Sequence, residues 1–235
     1  DGGDYNGCRT MTDCMMNLPL LLWAWRETGD GKYGDAAIIH YHTTMNYLIR
    51  GDGSSFHHYQ FEPASHMPVR GLTFQGYADD SCWSRGHAWL ISGFPIAYSY
   101  TKNEELVGLH KKLVYYFLNH LPSDGLPYWD LTFAEGSAEP RDSSAAAIAV
   151  CGLLEMCKYL PEDAPQKKIY QNAAACMTRA IIHCGGDHAA GDGLLGRVTH
   201  DVPRGNGIEG SAVYGDYFYL EALTRQLMPD WNTFW

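Results

Sequence analysis

The 235-residue chain is 46% hydrophobic and 13% aromatic, and 27 acidic against 17 basic side chains give a formal net charge of −10. This composition excludes an intrinsically disordered chain, because it supplies ample apolar area for a core, and the length predicts one domain. The acidic balance, with no Lys/Arg run longer than two residues, argues against nucleic acid or an anionic membrane as a partner. No apolar stretch of about 18 residues predicts a membrane-spanning helix.

Cysteine and histidine patterns predict neither disulfides nor a metal site. The seven cysteines contain no CxxC pair, and most lie among apolar residues, which favours a reducing compartment and a cytoplasmic protein. The eleven histidines form no HExxH motif, and the cysteine spacings match no zinc ligand set. The sequence also lacks a P-loop, a dinucleotide fingerprint and a GxSxG elbow, so no cofactor is predicted.

Segments of helical periodicity alternate with connections rich in Gly, Pro and Asp, and they predict seven helices. The first is apolar on nearly all sides, which predicts an inner helix over Thr12–Thr28 with Pro19 in its first turns or at a kink. The second, over Tyr33–Ile49, has the pattern of an outer helix. Residues 51–80 predict a brief β-hairpin or a structured loop. The remaining helices are predicted over Ser81–Thr101, Glu104–Leu121, Ser143–Tyr159, Pro165–Cys184 and Gly215–Leu227.

A faint internal repeat is visible at the starts of the predicted inner helices. An acidic residue in a small or polar setting recurs at intervals of 62 to 74 residues, at Asp13, Asp80, Asp142 and Asp216. Helical hairpins that repeat in this way must curve or close into a toroid, so an all-α fold is predicted, with the inner-helix N-termini at one rim. This rim is expected to bind polar ligand groups, because helix starts expose unpaired N–H groups.

Acidic residues at helix starts have two interpretations. Most are N-caps worth roughly 1 kcal/mol, and this interpretation is preferred for Asp142. Asp13 differs because it lies inside a strongly apolar segment. Desolvation there is expected to raise the pKa of its carboxyl group and keep it protonated, as a general acid requires.

The densest cluster of polar and aromatic residues spans 75–89. If a helix starts near Asp80, Arg85 and Trp89 fall on one stripe. A guanidinium and an indole on one stripe suit a sugar acid, since arginine grips a carboxylate with two parallel hydrogen bonds while tryptophan packs on the ring. An equal alternative is that Arg85 pairs with Asp79 or Asp80 and that Trp89 belongs to the core.

Six segments together carry a resemblance to a known family. They are MTDCMMNLPLLLWA, DGSSFHHYQF, LTFQGYADDSCWSRGHAW, LPYWDLTF, RDSSAAAIAVCGLLE and YGDYFYLEAL, in this order. The chain resembles unsaturated glucuronyl hydrolases of glycoside hydrolase family 88 from about Arg9 to Leu223. The resemblance implies an (α/α)6 barrel of six helical hairpins.

The resemblance also implies a chemistry unlike ordinary glycoside hydrolysis. Such enzymes hydrate the C4=C5 double bond of a Δ4,5-unsaturated uronic acid that a polysaccharide lyase leaves at the non-reducing end. An aspartic acid protonates C4, water adds at C5, and the resulting hemiketal opens and expels the neighbouring sugar. By motif position, Asp13 is implied to be this acid. The implied contacts to the small anionic oligosaccharide are His57, Gln75, Trp83, Arg85 and Trp89.

The sequence departs from the family pattern in three places. The family usually has His at the position of Phe74 and commonly Gln at the position of His87, and losing the first is expected to leave a buried partner unpaired. A second aspartate of the family lies upstream of the position of Asp13, and this chain begins after it. Residues 1–235 are therefore expected to form a single toroid domain that is incomplete on its N-terminal side.

Two other functions stay open from the sequence. One is the related unsaturated rhamnogalacturonyl hydrolase, and the other is a non-catalytic, carbohydrate-binding remnant of the barrel. Sulphation preference is also open: the loop 202–211 is expected to line the pocket for the leaving sugar. There Arg204 could meet a sulphate that Glu209 would repel.

Overall fold

The computed structural model describes residues 8–185 and 193–233, and in these ranges the chain forms seven α-helices and three short strands. The helices are α1 (Leu18–Thr28), α2 (Gly31–Tyr47), α3 (Ser84–Thr101), α4 (Glu104–Asn119), α5 (Ser143–Cys157), α6 (Pro165–Ala180) and α7 (Val213–Leu227). The strands are β1 (Arg9–Met11), β2 (His58–Phe61) and β3 (Pro68–Leu72). In the described ranges, no helix is both long and apolar enough to cross a lipid bilayer.

The helices form an inner and an outer layer. The inner helices α1, α3, α5 and α7 follow one another side by side, and α2, α4 and α6 pack on their outer sides. Nearly every residue of α5 and the first fourteen residues of α3 are buried, as expected of helices covered on all sides. The predicted alternation of inner and outer helices is therefore confirmed for this part of the chain.

Two glycines bring the inner elements into close contact. A Cβ at Gly152 would lie 2.8 Å from the Cα of Ser92, so α5 approaches the backbone of α3 where only glycine fits. A Cβ at Gly93 would lie 2.6 Å from the Cβ of Met15. This second contact seats the segment before α1 directly on α3.

The start of the first predicted helix differs from the prediction. Thr12–Met16 form a 3-10 turn, and α1 follows from Leu18 with Pro19 in its first turn. Proline lacks a backbone N–H and fits at this position without loss of a helical hydrogen bond. Asp13 therefore lies on a short turn rather than inside an α-helix.

The third helix begins at Ser84 and not at Ser81 as predicted. The buried carboxylate of Asp130 accepts hydrogen bonds from the backbone N–H of Tyr77 (3.0 Å) and of Cys82 (3.2 Å) and from the hydroxyl of Ser81 (2.6 Å). These bonds hold residues 77–82 in a turn. Asp80 consequently lies outside the helix, and the predicted repeat of acidic helix starts is wrong at this position.

The predicted hairpin is present and gains a third strand. β2 pairs antiparallel with β3, and β1 pairs antiparallel with the other edge of β2. The N–H of Thr12 also donates to the carbonyl of His57 at 3.0 Å. The sheet and this hydrogen bond therefore hold the 3-10 turn that carries Asp13 next to His57 and His58.

Candidate functional site

Asp13 lies beside the beginnings of the inner helices, on the 3-10 turn that packs against α3. Its side chain is 40% exposed, and the hydroxyl of Thr12 donates to Oδ2 at 3.2 Å. The same Oδ2 lies 3.6 Å from Nε2 of His57. The carboxylate is thus open to a ligand on one side and faces an imidazole on the other.

Backbone hydrogen bonds determine which nitrogen of His57 carries the proton. Nδ1 accepts from the N–H groups of Phe74 (3.3 Å) and Gln75 (3.4 Å), and Thr73 Oγ1 lies 3.4 Å away. A nitrogen that accepts these bonds holds no hydrogen, so the neutral ring has its hydrogen on Nε2. Nε2 is buried without a hydrogen-bond partner in the described ranges, and Oδ2 of Asp13 lies 3.6 Å from it.

The predicted rise in the pKa of Asp13 is wrong for the free protein. Burial is the largest single influence and raises the pKa, but the interactions with His57, the backbone N–H of Asp13 and the charge of Arg85 together lower it by more. The pKa of the carboxyl group is therefore below its ordinary value. The sequence shows the apolar setting of Asp13 but gives no sign of the imidazole opposite it.

Arg85 is nearly fully buried in the first turn of α3. Nη1 donates to Oδ2 of Asp142 at 2.7 Å and to the carbonyl of Thr199 at 2.5 Å, and Nη2 donates to the carbonyl of His200 at 2.6 Å. The alternative pairing with Asp79 or Asp80 is wrong, because Asp142 takes that place. Three of the five guanidinium N–H groups have these partners among the described residues.

The structure brings two other predicted residues, Trp83 and Gln75, to this region. The buried ring of Trp83 lies 4.4 Å from the ring of His57 and 4.6 Å from the guanidinium carbon of Arg85, so it separates the two. The side-chain amide of Gln75 donates to the carbonyl of His200 at 2.8 Å. Asp13, His57, Gln75, Trp83 and Arg85 thus belong to one connected set.

Trp89 lies one turn further along α3. It is 8% exposed and packs against Phe218 at 5.2 Å between ring centroids. Its Nε1 is buried without a hydrogen-bond partner in the described ranges. Trp89 therefore has a core contact, as the alternative interpretation expected, and also an unsatisfied donor.

Sequence reasoning missed the roles of Asp142 and Tyr214. Asp142 does cap α5, as predicted, but it also forms the buried ion pair with Arg85. The ring of Tyr214 lies 5.0 Å from the guanidinium carbon of Arg85, and burial raises the pKa of its hydroxyl to about 12. No local pattern marks either contact, because the partners lie 57 and 129 residues apart in the sequence.

Phe74 and His87, two positions where the sequence departs from the family pattern, lie in different surroundings. The ring of Phe74 stacks on His58 at 4.1 Å, and Nδ1 of His58 is buried without a partner among the described residues, as expected for a lost polar neighbour. Burial, with the charges of His57 and Arg9, lowers the pKa of His58 to about 4. His87 faces away from this region, joined to Ser55 Oγ and the Leu113 carbonyl at 2.9 Å each.

The two charged residues Arg204 and Glu209 of the loop 202–211 pair with residues that precede the loop. Arg204 donates to Asp201 at 2.6 Å, and Glu209 accepts from Arg197 at 2.8 Å. Glu209 is therefore neutralised by a neighbour other than Arg204. Across residues 8–185 and 193–233, no group of three or more His, Cys, Asp or Glu side chains is arranged to hold a metal ion.

Comparisons with known proteins agree on one family. Residues 10–155 match the model of Glycosyl Hydrolase Family 88. The unsaturated chondroitin disaccharide hydrolase of Streptococcus pyogenes serotype M1 is 46% identical over 229 residues, which cover 97% of this chain and 57% of that protein. The unsaturated glucuronyl hydrolase of Bacillus sp. (strain GL1) is 39% identical over 226 residues, which cover 95% of this chain and 60% of that protein.

Solved structures give the same result. The crystal structure of unsaturated glucuronyl hydrolase from Streptococcus agalactiae has a TM-score of 0.93 and 42% identity, covering 100% of this chain and 59% of that one. The crystal structure of a mutant of that enzyme complexed with dGlcA-GalNAc6S has a TM-score of 0.87 and 42% identity. The match covers 96% of this chain and 60% of that one. The chain thus spans less than two thirds of the length of these relatives.

Proposed function

The chain belongs to Glycosyl Hydrolase Family 88, and we propose that it carries the site of a hydrolase acting on unsaturated oligosaccharides of the glycosaminoglycan type. The reaction removes the Δ4,5-unsaturated uronic acid residue at the non-reducing end by hydrating its C4=C5 bond. The observation that carries the proposal is the partly exposed Asp13 facing His57, within the electric field of the buried Arg85. His57 and Arg85 favour the carboxylate of Asp13 in the free protein, and the charge of Arg85 attracts the carboxylate of an anionic substrate to the same place.

The uronate carboxylate binds near Arg85 in this proposal. The two remaining guanidinium N–H groups can donate to it, and a charge-assisted bond of this kind is shorter and stronger than a neutral one. Gln75 retains one amide N–H and its carbonyl oxygen for sugar hydroxyls. Trp83 and the unsatisfied N–H of Trp89 supply the aromatic wall and a further donor.

Substrate binding changes the protonation of Asp13. In the free protein the pKa of Asp13 is lowered, which favours the carboxylate. A bound uronate adds a negative charge and displaces water, and both effects raise the pKa of a neighbouring carboxyl group. Asp13 therefore takes up a proton when the substrate binds, and the site creates its own general acid.

Proton transfer and hydration follow in order. Asp13 gives its proton to C4, and the positive charge that develops at C5 is shared with the ring oxygen. Water adds at C5 and returns a proton to the Asp13 carboxylate, so the acid is regenerated. The hemiketal at C5 then opens, the neighbouring sugar leaves, and one water molecule is consumed.

We also propose that the seven helices are part of a closed (α/α)6 barrel. The inner helices form an arc whose outermost members, α1 and α7, leave between them a cavity of about 160 Å³ lined by Met16, Pro19, Ile96 and Phe218, among others. Exposed apolar side chains continue along both helices, with Leu20 at 64% and Leu220 at 50% exposure. Further inner helices packed against α1 and α7 would bury those side chains.

An absorbance assay tests the proposed reaction. A lyase-generated unsaturated chondroitin disaccharide should lose the ultraviolet absorbance of its C4=C5 bond when the protein is added. Calorimetric binding of the same disaccharide without absorbance loss would instead support the carbohydrate-binding remnant. Absence of both signals would overturn the proposal.

A further inference from the structure

The carboxylate of Asp142 is fully buried and accepts more hydrogen bonds than an N-cap requires. Oδ1 accepts from the N–H of Ser144 at 3.1 Å and from its hydroxyl at 2.5 Å, and it also accepts from the N–H of Thr199 at 3.3 Å. Oδ2 accepts from Nη1 of Arg85 at 2.7 Å. Capping accounts for the bonds from Ser144 but not for those from Thr199 and Arg85.

The backbone at Thr199 and His200 connects Asp142 with two side chains of the site. The carbonyl of His200 accepts from Arg85 at 2.6 Å and from the side-chain amide of Gln75 at 2.8 Å. The carbonyl of Thr199 accepts from Arg85 at 2.5 Å. Both donors are therefore aligned on one dipeptide, and the N–H of that dipeptide is held by Asp142.

We propose that Asp142 is a positioning residue, which fixes Arg85 directly, and Gln75 through His200, in the orientation that receives the uronate. The inference rests on the proposed function for the identity of the ligand. Its physical basis is the burial of Arg85, because a guanidinium at 2% exposure needs a carboxylate partner and keeps one geometry when it has one. Asp142 thus has no contact with substrate and acts through the two side chains that do.

Replacing Asp142 by Asn separates capping from positioning. The amide oxygen of Asn can still accept from Ser144 and cap α5. The amide nitrogen that replaces Oδ2 is a donor and cannot accept from Arg85. Asp30→Asn is the matched control, because Asp30 caps α2 by accepting from the N–H of Lys32 at 3.1 Å, at the start of an outer helix.

Two readouts on the full chain test the proposal. Hydrogen exchange of the Gln75 side-chain amide, followed by nuclear magnetic resonance without substrate, should accelerate about tenfold or more in Asp142→Asn, since its acceptor is no longer held. KM for the unsaturated chondroitin disaccharide should rise about tenfold with a smaller change in kcat, since Arg85 and Gln75 bind ground state and transition state alike. Asp30→Asn should change neither.

The outcomes separate this inference from the proposed function. If the unmodified chain neither binds nor hydrolyses the disaccharide, the proposed function fails, while the exchange of the Gln75 amide still decides the role of Asp142. Unchanged exchange in a folded Asp142→Asn protein would overturn the inference, even with full activity of the unmodified chain. Asp142→Ser is the second variant, because serine can cap α5 but is too short to reach Arg85. Loss of folding in both Asp142 variants would make Asp142 a structural residue and would also overturn the inference.

Discussion

The side chain of Asp13 is subject to opposing influences at the scale of single residues. Desolvation is the largest single influence and favours the neutral acid, but His57, the backbone N–H of Asp13 and the charge of Arg85 together favour the carboxylate more strongly. A general acid must be protonated when the substrate is in place, so catalysis depends on reversing this balance. In the complex, Asp13 is protonated below its pKa and ionised above it. The rate is therefore expected to fall as the pH rises through the pKa of Asp13 in the complex.

Removing the imidazole of His57 should raise the lowered pKa of Asp13. In His57→Ala the desolvation of Asp13 remains while its main stabilising partner is lost, so the pKa of Asp13 should rise. Carbon-13 titration of the Asp13 carboxyl group by nuclear magnetic resonance measures this directly. His58→Ala is the control, because His58 is equally buried but stacks on Phe74 rather than facing Asp13. A titration of Asp13 that is the same with and without His57 would show that the imidazole does not control it.

The contact between α3 and α5 determines the spacing of the site at the scale of elements. Arg85 lies in the first turn of α3, and Asp142 is the N-cap of α5. Their ion pair therefore depends on how closely the two helices pack. Gly152 permits that approach, because a Cβ there would meet the backbone of Ile91 and Ser92. The helix spacing is therefore fixed by backbone contact at one position and by an ion pair at the rim.

Gly152→Ala is expected to destabilise the protein by about 2 kcal/mol or more, because overpacking against backbone cannot be relieved by a side-chain rotation. Gly108→Ala is the matched control. Gly108 lies exposed in the middle of α4 with nothing within 4 Å of its Cβ position, so alanine should stabilise the helix by about 0.5–1 kcal/mol. Denaturant unfolding of both variants measures the difference, and equal effects would mean that the two helices are not in close contact.

Helical periodicity predicted the elements well because burial follows the same 3.6-residue period in the sequence and in the fold. All seven predicted helices are present, and the end of α3 at Thr101 agrees with the prediction. The start of α3 was misplaced because Asp130, some fifty residues later, holds the preceding turn. The Arg85–Asp142 pair was missed for the same reason, since only the tertiary fold brings such partners together.

At the scale of the whole molecule, the largest exposed apolar side chains of the inner layer lie on its two outermost helices. Leu20 on α1 and Leu220 on α7 are exposed at 64% and 50%. Large apolar side chains exposed in this way on an inner layer are typical of faces that other segments or other molecules cover. The gap between α1 and α7 is therefore the surface through which this chain is expected to associate.

Changing that surface should alter the behaviour of the chain in solution. The isolated 235-residue chain is expected to self-associate with rising concentration in sedimentation velocity, and the double variant Leu20→Gln with Leu220→Gln should reduce this association. Ile39→Gln is the control, since Ile39 is 66% exposed on the outer helix α2, away from the gap. A monomer at all concentrations, or an equal effect of Ile39→Gln, would contradict this view of the surface.

The most direct test of the account is the turnover of an unsaturated chondroitin disaccharide by Asp13→Asn. An asparagine amide cannot donate a proton to C4, so the absorbance of the C4=C5 bond should stay constant while the protein keeps its helical circular dichroism and its thermal unfolding midpoint. Asp35→Asn, a change of the same kind at an exposed position of α2, should lose absorbance at the rate of the unmodified chain. Normal turnover by a folded Asp13→Asn protein would contradict the assignment of Asp13 as the proton donor.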